Sequence, residues 1–510
     1  MQAFFSKLAD LNGVINDFVW VKIGLVLLLG TGILMTCCTK VFQVTHLGHW
    51  IKHTIGSLFK KDVISHSKDK ASISPFQALC TALAATIGTG NIAGVATAIV
   101  TGGAGAVFWM WIAAFFGMMT NFSENVLGIY YRRKNSKGEW SGGAMYYLQD
   151  GLGGRKGLKG IGKVLAVLFA LFCILASFGI GNMSQVHNIV ANVESAFPIA
   201  SLGNITLYEG VSAYTITIGV VILILAGLII IGGLQRIAAF AEKVVPFMVI
   251  LFVIGSLIVI GFNYAQIGSA FKQIFTEAFN LKAVAGGALG AFISKVVTAG
   301  FKRGVFSNEA GLGSSVMVHS NSNVKEPVKQ GMWGIFEVFM DTIVVCTMTA
   351  LVILTSGVYD ASLPEEAMNS STMMGEAFNS VFSFGNIGAK FIATALFLFA
   401  FTTVLGWSHY GSKAWEYLFG TKSTVGYKIF FVAMIISGAL MTTSLAWDIS
   451  DTFNGLMMMP NLIGVVTLFP LVTRITKNYV DRQLKDKKVK PMLSYDATIQ
   501  KEAEEAIAEE

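Results

Sequence analysis

Glycine, threonine and asparagine residues cluster in the middle of an apolar stretch in the first quarter of the chain. Residues 85–95 read ATIGTGNIAGV and lie inside an apolar run from about residue 76 to residue 101. Backbone amides that are free at the start of a helix can bind a carboxylate, and free carbonyls can accept from an ammonium group. Thr89, Gly90 and Asn91 are placed to bind a carboxylate in this way. The cluster therefore predicts a binding site for a small zwitterion and an ion at a broken helix.

The run around this cluster is long enough to cross a bilayer, which takes about 20 apolar residues. Polar backbone at that depth is tolerated only where it faces protein or a water-filled cavity. The segment is therefore interpreted as a spanning helix that unwinds at its centre, with Asn91 as the N-cap of its second half. The alternative is a continuous helix whose glycines allow a neighbouring helix to approach closely.

A second apolar stretch, residues 286–315, carries interruptions of the same kind. It reads GGALGAFISKVVTAGFKRGVFSNEAGLGSS. The interruptions are the triplet at 298–300 and a polar set: Lys302, Arg303, Ser307, Asn308 and Glu309. The two stretches are five predicted spans apart. Breaks at corresponding positions of two halves indicate an inverted-repeat transporter with its binding site near the membrane midplane.

The composition is that of a membrane protein. Of the 510 residues, 54% are hydrophobic and 13% are charged, and a soluble domain has about 25% charged residues. The apolar runs predict an all-α membrane protein with about eleven transmembrane helices. The five cysteines show neither metal-ligand nor disulfide spacing. The net charge of +7 comes from short loops, so it indicates membrane topology and no nucleic-acid partner.

Basic residues are concentrated in alternate loops between the predicted spans. They are frequent after spans one, three, five, seven and nine and in the tail, and rare in the other loops. The positive-inside rule then places the amino terminus outside and the carboxyl terminus in the cytoplasm. An odd number of spans agrees with this orientation.

The predicted organisation has four parts. Residues 1–75 hold one extra transmembrane helix and a basic cytoplasmic loop, and residues 476–510 form a cytoplasmic tail. Between them lie two five-helix repeats, residues 76–263 and residues 264–475. Each repeat begins with one of the two broken helices.

Other functional classes have less support in the sequence. A channel would need a ring of filter residues, which two broken helices in one chain do not supply. Paired carboxylates, HExxH and GxSxG motifs are missing, so neither an enzyme nor a cofactor is expected. Neither break centre contains Asp or Glu, which favours a neutral amino acid over a cationic one. Two carboxylates within spans are expected to form ion pairs or gates, Glu309 with Arg303 and Glu124 with Arg132.

Several motifs resemble the alanine or glycine:sodium symporter family. They are GTGNIAGVATAI at 88–99, GAVFWMW at 105–111, KRGVFSNEAGLGSS at 302–315, LGWSHYG at 405–411 and EYLFG at 416–420. The resemblance extends from about residue 76 to residue 474. It implies the leucine-transporter fold with five-plus-five inverted repeats, import of alanine or glycine with sodium, and the inner membrane of a prokaryote. Another neutral amino acid such as glutamine, or coupling to protons, is the alternative.

The resemblance also implies further residues that contact the substrate. They come from spans four, seven and nine: Phe178, Gln185, Thr298, Gly300, Phe301 and Trp407. The three aromatic side chains would bound a pocket for a small side chain, and the amides of Gln185 and Asn91 would supply hydrogen bonds. Ordinary packing of the aromatic rings and a hydrogen bond between helices are the alternatives.

A sodium site follows from the same resemblance. In the leucine-transporter fold, a hydroxyl pair like Thr402 and Thr403 in the ninth span lies beside the first break. The carbonyls of Ala84, Ile87 and Phe399 would complete the site, because hard cations prefer oxygen ligands. The alternative is that both threonine hydroxyls bond back to their own helix. Sodium as the coupling ion is the only bound ion expected.

Overall fold

Helices make up nearly all of the structure. The computed structural model describes residues 2–59, 72–208, 211–279, 289–365, 368–382, 384–441 and 443–508. Two short antiparallel hairpins are the only sheets in these ranges. The predicted all-α class is confirmed. Residues 60–71, within the basic loop predicted after the first span, lie outside the described residues.

Ten segments of the described chain have the length and hydropathy of membrane spans. Nine are continuous: Asp10–Cys38, Gly105–Tyr131, Lys159–Ala196, Ala213–Ile230, Gly233–Phe262, Pro327–Ser356, Ile387–Phe419, Thr421–Leu440 and Asp451–Gln483. The tenth is the bent pair Pro75–Thr86 and Gly90–Gly102. Eleven spans were predicted, and the remaining one, the seventh, corresponds to the helix Leu289–Asn308, which is not among the ten. We number these segments span 1 to span 11 in chain order, so the bent pair is span 2 and Leu289–Asn308 is span 7.

Short elements connect the spans. The hairpins pair Arg133–Lys134 with Trp140–Ser141 and Thr206–Tyr208 with Val211–Ser212. The short helices are Phe42–Thr45, Leu47–His53, Ile55–Phe59, Ala144–Tyr146, Tyr147–Leu152, Ala200–Gly203, Tyr264–Gln266, Ile267–Ala278, Val316–His319 and Met373–Val381. The tail carries one more helix, Ala497–Ala508.

Several spans contain a wider, π-helical turn. Gly90–Gly94 forms such a turn in span 2, Gly179–Met183 in span 4 and Phe339–Cys346 in span 8. These turns are rare in proteins and occur often at functional sites. All three contribute residues to the site described below.

Span 2 starts at a well-defined cap and breaks where its glycines cluster. The hydroxyl of Ser74 accepts from the Gln77 amide, and the Gln77 side chain accepts from the Ser74 amide, both at 3.1 Å. Pro75 follows at the first helical position, where its missing N–H costs nothing. The first half ends at Thr86, and the two halves enclose a bend of 53°. The predicted break in this helix is confirmed.

The second break lies later in the chain than its first predicted position. Span 7 is one helix through residues 298–300, so the predicted interruption at this triplet is wrong. Gly300 serves close packing instead, because a Cβ there would lie 2.5 Å from the carbonyl oxygen of Ala106 in span 3. A side chain at position 300 would push the two helices apart.

The helix of span 7 ends at Asn308, within the predicted polar set. Residues 309–315 are not helical and lead into the short helix Val316–His319. Gly311 and Gly313 in this stretch have φ angles of +92° and +72°, which residues with a Cβ adopt only under strain. These two glycines, and not Gly300, make the chain turn.

Two backbone hydrogen bonds join the segments that flank the breaks. The amide of Ile73 donates to the carbonyl of Asn321 at 3.1 Å, and the amide of Asn323 donates to the carbonyl of Ile73 at 2.9 Å. They form a parallel bridge between Ile73 and Ser322. Ile73 precedes span 2, and residues 321–323 follow the second break. The bridge therefore ties the two broken helices together at one end of the molecule.

The same end of the molecule carries Arg132 and part of the tail. The Arg132 guanidinium donates to the carbonyls of Ser322 and Val324 at 2.5 and 2.6 Å. Lys325 donates to a carbonyl of the tail helix Ala497–Ala508 at 3.2 Å. These contacts thus connect span 3, the segment that follows the second break and the tail helix at this end of the molecule.

Candidate functional site

The first break leaves backbone groups that its own helix does not use. The Gly88 amide donates to Asn91 Oδ1 at 2.9 Å, and the Thr89 amide donates to Gln185 Oε1 at 3.1 Å. The Thr89 hydroxyl is fully buried and has no hydrogen-bond partner among the described residues. Because buried polar groups are normally paired, this hydroxyl marks a place where a polar ligand would fit.

Gly90 brings the first break against the helix that leads to the second. A Cβ at position 90 would lie 3.2 Å from the ring of Phe306 and 3.2 Å from the Cα of Ser307. Such contacts are tighter than a side chain normally makes. The two broken helices therefore meet directly at Gly90.

Asn91 has a different role from the predicted N-cap. The second half of span 2 starts at Gly90 with Thr89 before it, and no side chain caps the helix. The Asn91 amide group instead donates to Asp341 Oδ1 at 2.6 Å. Asp341, in the π turn of span 8, is fully buried and also accepts from the Ser307 hydroxyl at 2.7 Å. Asp341 thus connects both broken helices, and Asn91 Oδ1, the acceptor that a cap would use, is already taken by the Gly88 amide.

The residues of the predicted sodium site converge on one hydroxyl. Thr403 Oγ1 lies 3.0 Å from the carbonyl oxygens of Ala84 and Phe399 and 3.5 Å from that of Ile87. Thr402 Oγ1 lies 2.9 Å from the same Phe399 oxygen. Both threonines therefore contact their own helix, as the alternative expected. Thr403 also reaches across to the end of the first half of span 2.

More carbonyl oxygens surround the Thr403 hydroxyl than its one hydrogen can satisfy. A hydroxyl has one hydrogen to donate, but Thr403 Oγ1 has three carbonyl oxygens within 3.5 Å. Carbonyl dipoles that point at one place without enough hydrogens favour a small cation with oxygen ligands. Clusters of His, Cys, Asp or Glu that could hold a metal are not found in the described part of the chain.

Gln185 and Trp407 pack on the side of the site formed by spans 4 and 9. The Gln185 amide group donates to the carbonyl of Ile180, inside the π turn of span 4, at 2.9 Å. Trp407 is fully buried one turn after Thr403. A Cβ at Gly181 would overlap with Trp407, so this turn has no space for a side chain. Gln185 is thereby placed against the first break, and Trp407 lies against the turn that holds Gln185.

Ten of the sequence-predicted site residues surround the first break or contact its neighbours. They are Ala84, Ile87, Thr89, Gly90, Asn91, Gln185, Phe399, Thr402, Thr403 and Trp407.

Four predicted substrate residues are placed elsewhere. Thr298 lines a surface recess with residues of spans 1 and 2, Gly300 packs on span 3, and the Phe301 ring lies 6.3 Å from that of Trp109. Phe178 turns towards span 10, with its ring 5.2 Å from that of Phe430. The helix through 298–301 is unbroken, so its residues pack on a neighbouring span or face the surface, and Phe178 packs on span 10.

The two expected ion pairs do not form. Arg303 pairs with Asp451 at 3.3 Å, and Glu309 instead accepts from Ser314 and from Trp407. The separation of six residues would place Arg303 and Glu309 on different faces of a helix. Glu124 accepts from the Asn461 side chain, and Arg132 binds the backbone carbonyls described above. Lys302 also pairs with Asp451, at 2.8 Å, so Lys302 and Arg303 both face span 11 and not the break.

Asp341 and Glu309 are polar residues beside the site that were not among its predicted ligands, and Glu309 was expected to form an ion pair or a gate. Both are buried next to residues that the site prediction included, Asn91 and Trp407. The available signal was their position, since an acidic residue inside a membrane span is a functional candidate in its own right. Their partners come from distant parts of the chain and could not be read from local spacing.

Two sequence comparisons place the chain among known transporters. The model of the sodium:alanine symporter family matches residues 5–493. The sodium/alanine symporter AgcS of Methanococcus maripaludis is 41% identical over 92% of this chain and 97% of its own length. The probable sodium/glutamine symporter GlnT of Bacillus subtilis is 36% identical over 92% of this chain and 91% of its own length.

A solved structure gives the fold independently. The crystal structure of MhsT in complex with L-phenylalanine matches with a TM-score of 0.54 at 12% sequence identity. The match covers 80% of this chain and 99% of the MhsT chain. At this identity the similarity speaks for the fold alone, and the predicted leucine-transporter fold is confirmed.

Proposed function

Because the chain belongs to the sodium:alanine symporter family, whose members are sodium-coupled amino-acid transporters, we propose that it imports alanine and glycine with sodium by alternating access. The observation that carries this proposal is the oxygen cluster at Thr403, which touches the end of the first half-helix of span 2. A sodium ion there would hold span 9 and the broken helix together. The amides of the break would be presented to the amino acid at the same time.

The chemistry of the break fits a zwitterion. The Thr89 hydroxyl, which has no partner among the described residues, offers a hydrogen bond to a carboxylate. The Gly88 and Thr89 amides would exchange their Asn91 and Gln185 partners for the same carboxylate. Carbonyls beside the break offer acceptors to an ammonium group. Asp341 is already engaged by Asn91 and Ser307, so a second positive charge on the substrate would lack a free partner, which disfavours a cationic amino acid.

Uptake by purified protein in liposomes is the direct test. Labelled alanine should accumulate inside the vesicles when the sodium concentration is made higher outside than inside. It should not accumulate when potassium replaces sodium. A proton gradient without sodium should give no accumulation. Accumulation driven by protons alone would reject sodium symport in favour of proton coupling.

Small amino acids should compete much better than large ones. Trp407 and Gln185 are fully buried around the site, and one methylene is worth about 1–3 kcal/mol of discrimination in a tight pocket. Unlabelled alanine and glycine are therefore expected to displace labelled alanine more than tenfold better than leucine does. Competition binding with a panel of neutral amino acids measures this ratio. If leucine or glutamine competes better than alanine, the small-substrate assignment is wrong.

Glutamine is the second candidate substrate, because one of the similar transporters is named for it. The competition panel separates the two cases, since glutamine would then be the strongest competitor. We also propose the inner membrane of a prokaryote as the location, with the amino terminus outside and the carboxyl terminus in the cytoplasm. The alternation of basic loops supports this orientation.

A further inference from the structure

Glu309 is a buried carboxylate that begins the second break. Its side chain is 1% exposed. Trp407 Nε1 donates to Oε1 at 2.7 Å, and the Ser314 hydroxyl donates to Oε2 at 2.6 Å. No ion pair between Glu309 and a basic side chain is found among the described residues. Its known partners are therefore uncharged, and one of them belongs to the substrate site.

The backbone at Glu309 is held in an unusual conformation. Its φ angle is +57°, in the left-handed region that a residue with a Cβ seldom occupies. Such conformations persist where the surrounding structure enforces them, and they are common at functional sites. The amide of Glu309 still donates to the carbonyl of Val305 at 2.9 Å. The chain turns away from the helix at this residue while its carboxylate points at span 9.

Trp407 is held from two sides. Glu309 accepts from its indole N–H on one side, and Gly181 leaves space for its Cβ and ring on the other. The π turn that contains Gly181 also supplies the carbonyl that orients Gln185. Gln185 in turn accepts from the Thr89 amide at the first break. An unbroken set of contacts thus runs from the second break through Trp407 to the first.

We propose that Glu309 is a positioning residue for substrate selection: it fixes the Trp407 indole and so couples the second break to the pocket at the first. This proposal rests on the proposed function, since it takes Trp407 as part of the amino-acid pocket. When the indole is fixed, the pocket keeps the size that admits alanine. When it is released, the ring can rotate, and larger neutral amino acids gain room.

The substitutions Glu309→Ala, Glu309→Gln and Trp407→Phe separate positioning from charge. Glutamine has the shape of glutamate, can accept from the indole and can donate to the Ser314 hydroxyl. Phenylalanine keeps a ring and removes the N–H donor. Glu309→Ala should weaken alanine binding about tenfold, the size expected when the buried indole N–H of Trp407 is left without its partner. It should also lower the preference for alanine over leucine, and Glu309→Gln should restore both.

The double variant tests whether Glu309 acts through Trp407. In the Trp407→Phe background, Glu309→Ala should cause little further loss, since residues that act as one unit are not additive. An equal loss in both backgrounds would overturn the proposal. A Glu309→Gln variant that behaves like Glu309→Ala would also overturn it, because the charge would then matter and not the position of the indole.

Two further variants test whether general damage to the fold could explain a shift in the alanine-to-leucine ratio. Ser314→Ala removes one of the two bonds to Glu309 and should shift the alanine-to-leucine ratio in the same direction by a smaller amount. Glu326→Ala removes another buried carboxylate, whose hydrogen bonds go to Arg482 of span 11. It should leave the ratio unchanged. An equal shift of the ratio in Glu326→Ala would overturn the proposal, since any buried carboxylate would then have the same effect.

Failure of the proposed function would be distinguishable from failure of this inference. If the wild-type protein binds no alanine, the proposed substrate is wrong. The same variants are then compared with the amino acid that the wild type does bind. If that amino acid shows no dependence on Glu309 through Trp407 either, the positioning role is also rejected.

Discussion

Replacing Thr402 and Thr403 together by valine is expected to abolish sodium-driven alanine uptake while the protein still inserts in the membrane. Valine has nearly the shape of threonine and removes only the two hydroxyls. Thr403 Oγ1 lies within 3.5 Å of three carbonyl oxygens, so its loss removes the centre of the proposed sodium site. Uptake in liposomes under a sodium gradient, with surface expression checked separately, measures the effect.

The same helix provides a matched control. Thr394 also lies in span 9, and its hydroxyl bonds only to the carbonyl of Lys390 at 2.8 Å among the contacts described, so Thr394→Val should leave uptake intact. Gly88→Ala approaches the site from the other helix, since its Cβ would lie 2.5 Å from Thr403 Oγ1. It should reduce sodium dependence as well. Undiminished sodium-driven uptake in the double valine variant would show that sodium does not bind at this location.

Gly90→Val is expected to eliminate alanine binding without preventing insertion. The Cβ alone would lie 3.2 Å from Phe306 and Ser307, and the two additional methyl groups of valine have no space between the broken helices. The bulk would also cover the amides that a carboxylate must reach. Calorimetry on purified protein, or a scintillation proximity assay, measures binding directly.

Gly94→Ala is the matched control for Gly90→Val. It lies one turn further along the same segment, and a Cβ there meets only the carbonyl oxygen of Thr89 at 3.8 Å, so binding should be normal. Asn91→Ala is expected to be intermediate. It removes the partner of the Gly88 amide and of Asp341 Oδ1, at a cost of roughly 1–3 kcal/mol, or at least about tenfold in affinity. Wild-type alanine affinity in Gly90→Val would mean that the first break serves packing and that the site lies elsewhere.

The first break could be predicted because three glycines and several polar residues stand inside one apolar run. Such a run has few ways to satisfy polar groups in a membrane. The structure has the helix end at Thr86 and resume at Gly90. The partners that the free groups find were less predictable. Asn91 bonds to Asp341, which lies 250 positions away, so a local rule for helix caps gave the wrong role.

The second break shows why glycine content alone is not enough. Gly300 and Gly311 both lack a Cβ, and the sequence does not distinguish their uses. Gly300 lets span 3 approach, whereas Gly311 adopts a φ angle of +92°. The difference depends on Ala106, which is distant in the sequence and close in the fold. A glycine used for packing and a glycine used for turning become distinct only when the neighbouring helix is known.

The aromatic residues predicted to line the pocket also differ in where the structure places them. Trp407 lies next to the site because Gly181 leaves space for it, and that pairing involves two spans. Phe178 stands only three residues before Gly181, yet its ring faces span 10. The π turn changes the direction in which successive side chains point. The orientation of a side chain beside such a turn therefore cannot be obtained from regular helical spacing.

The bridge between Ile73 and residues 321–323 has a consequence for how this protein can evolve. Its two hydrogen bonds use only peptide groups, which every residue except proline supplies in full. A substitution that fits the space at these positions therefore leaves the connection between the two halves in place. Ile73, Asn321 and Ser322 are fully buried, so related sequences would show the constraint of packing there, and only the absence of proline would report the two hydrogen bonds. A backbone contact that joins the two halves would in this way leave little trace of its own in a sequence alignment.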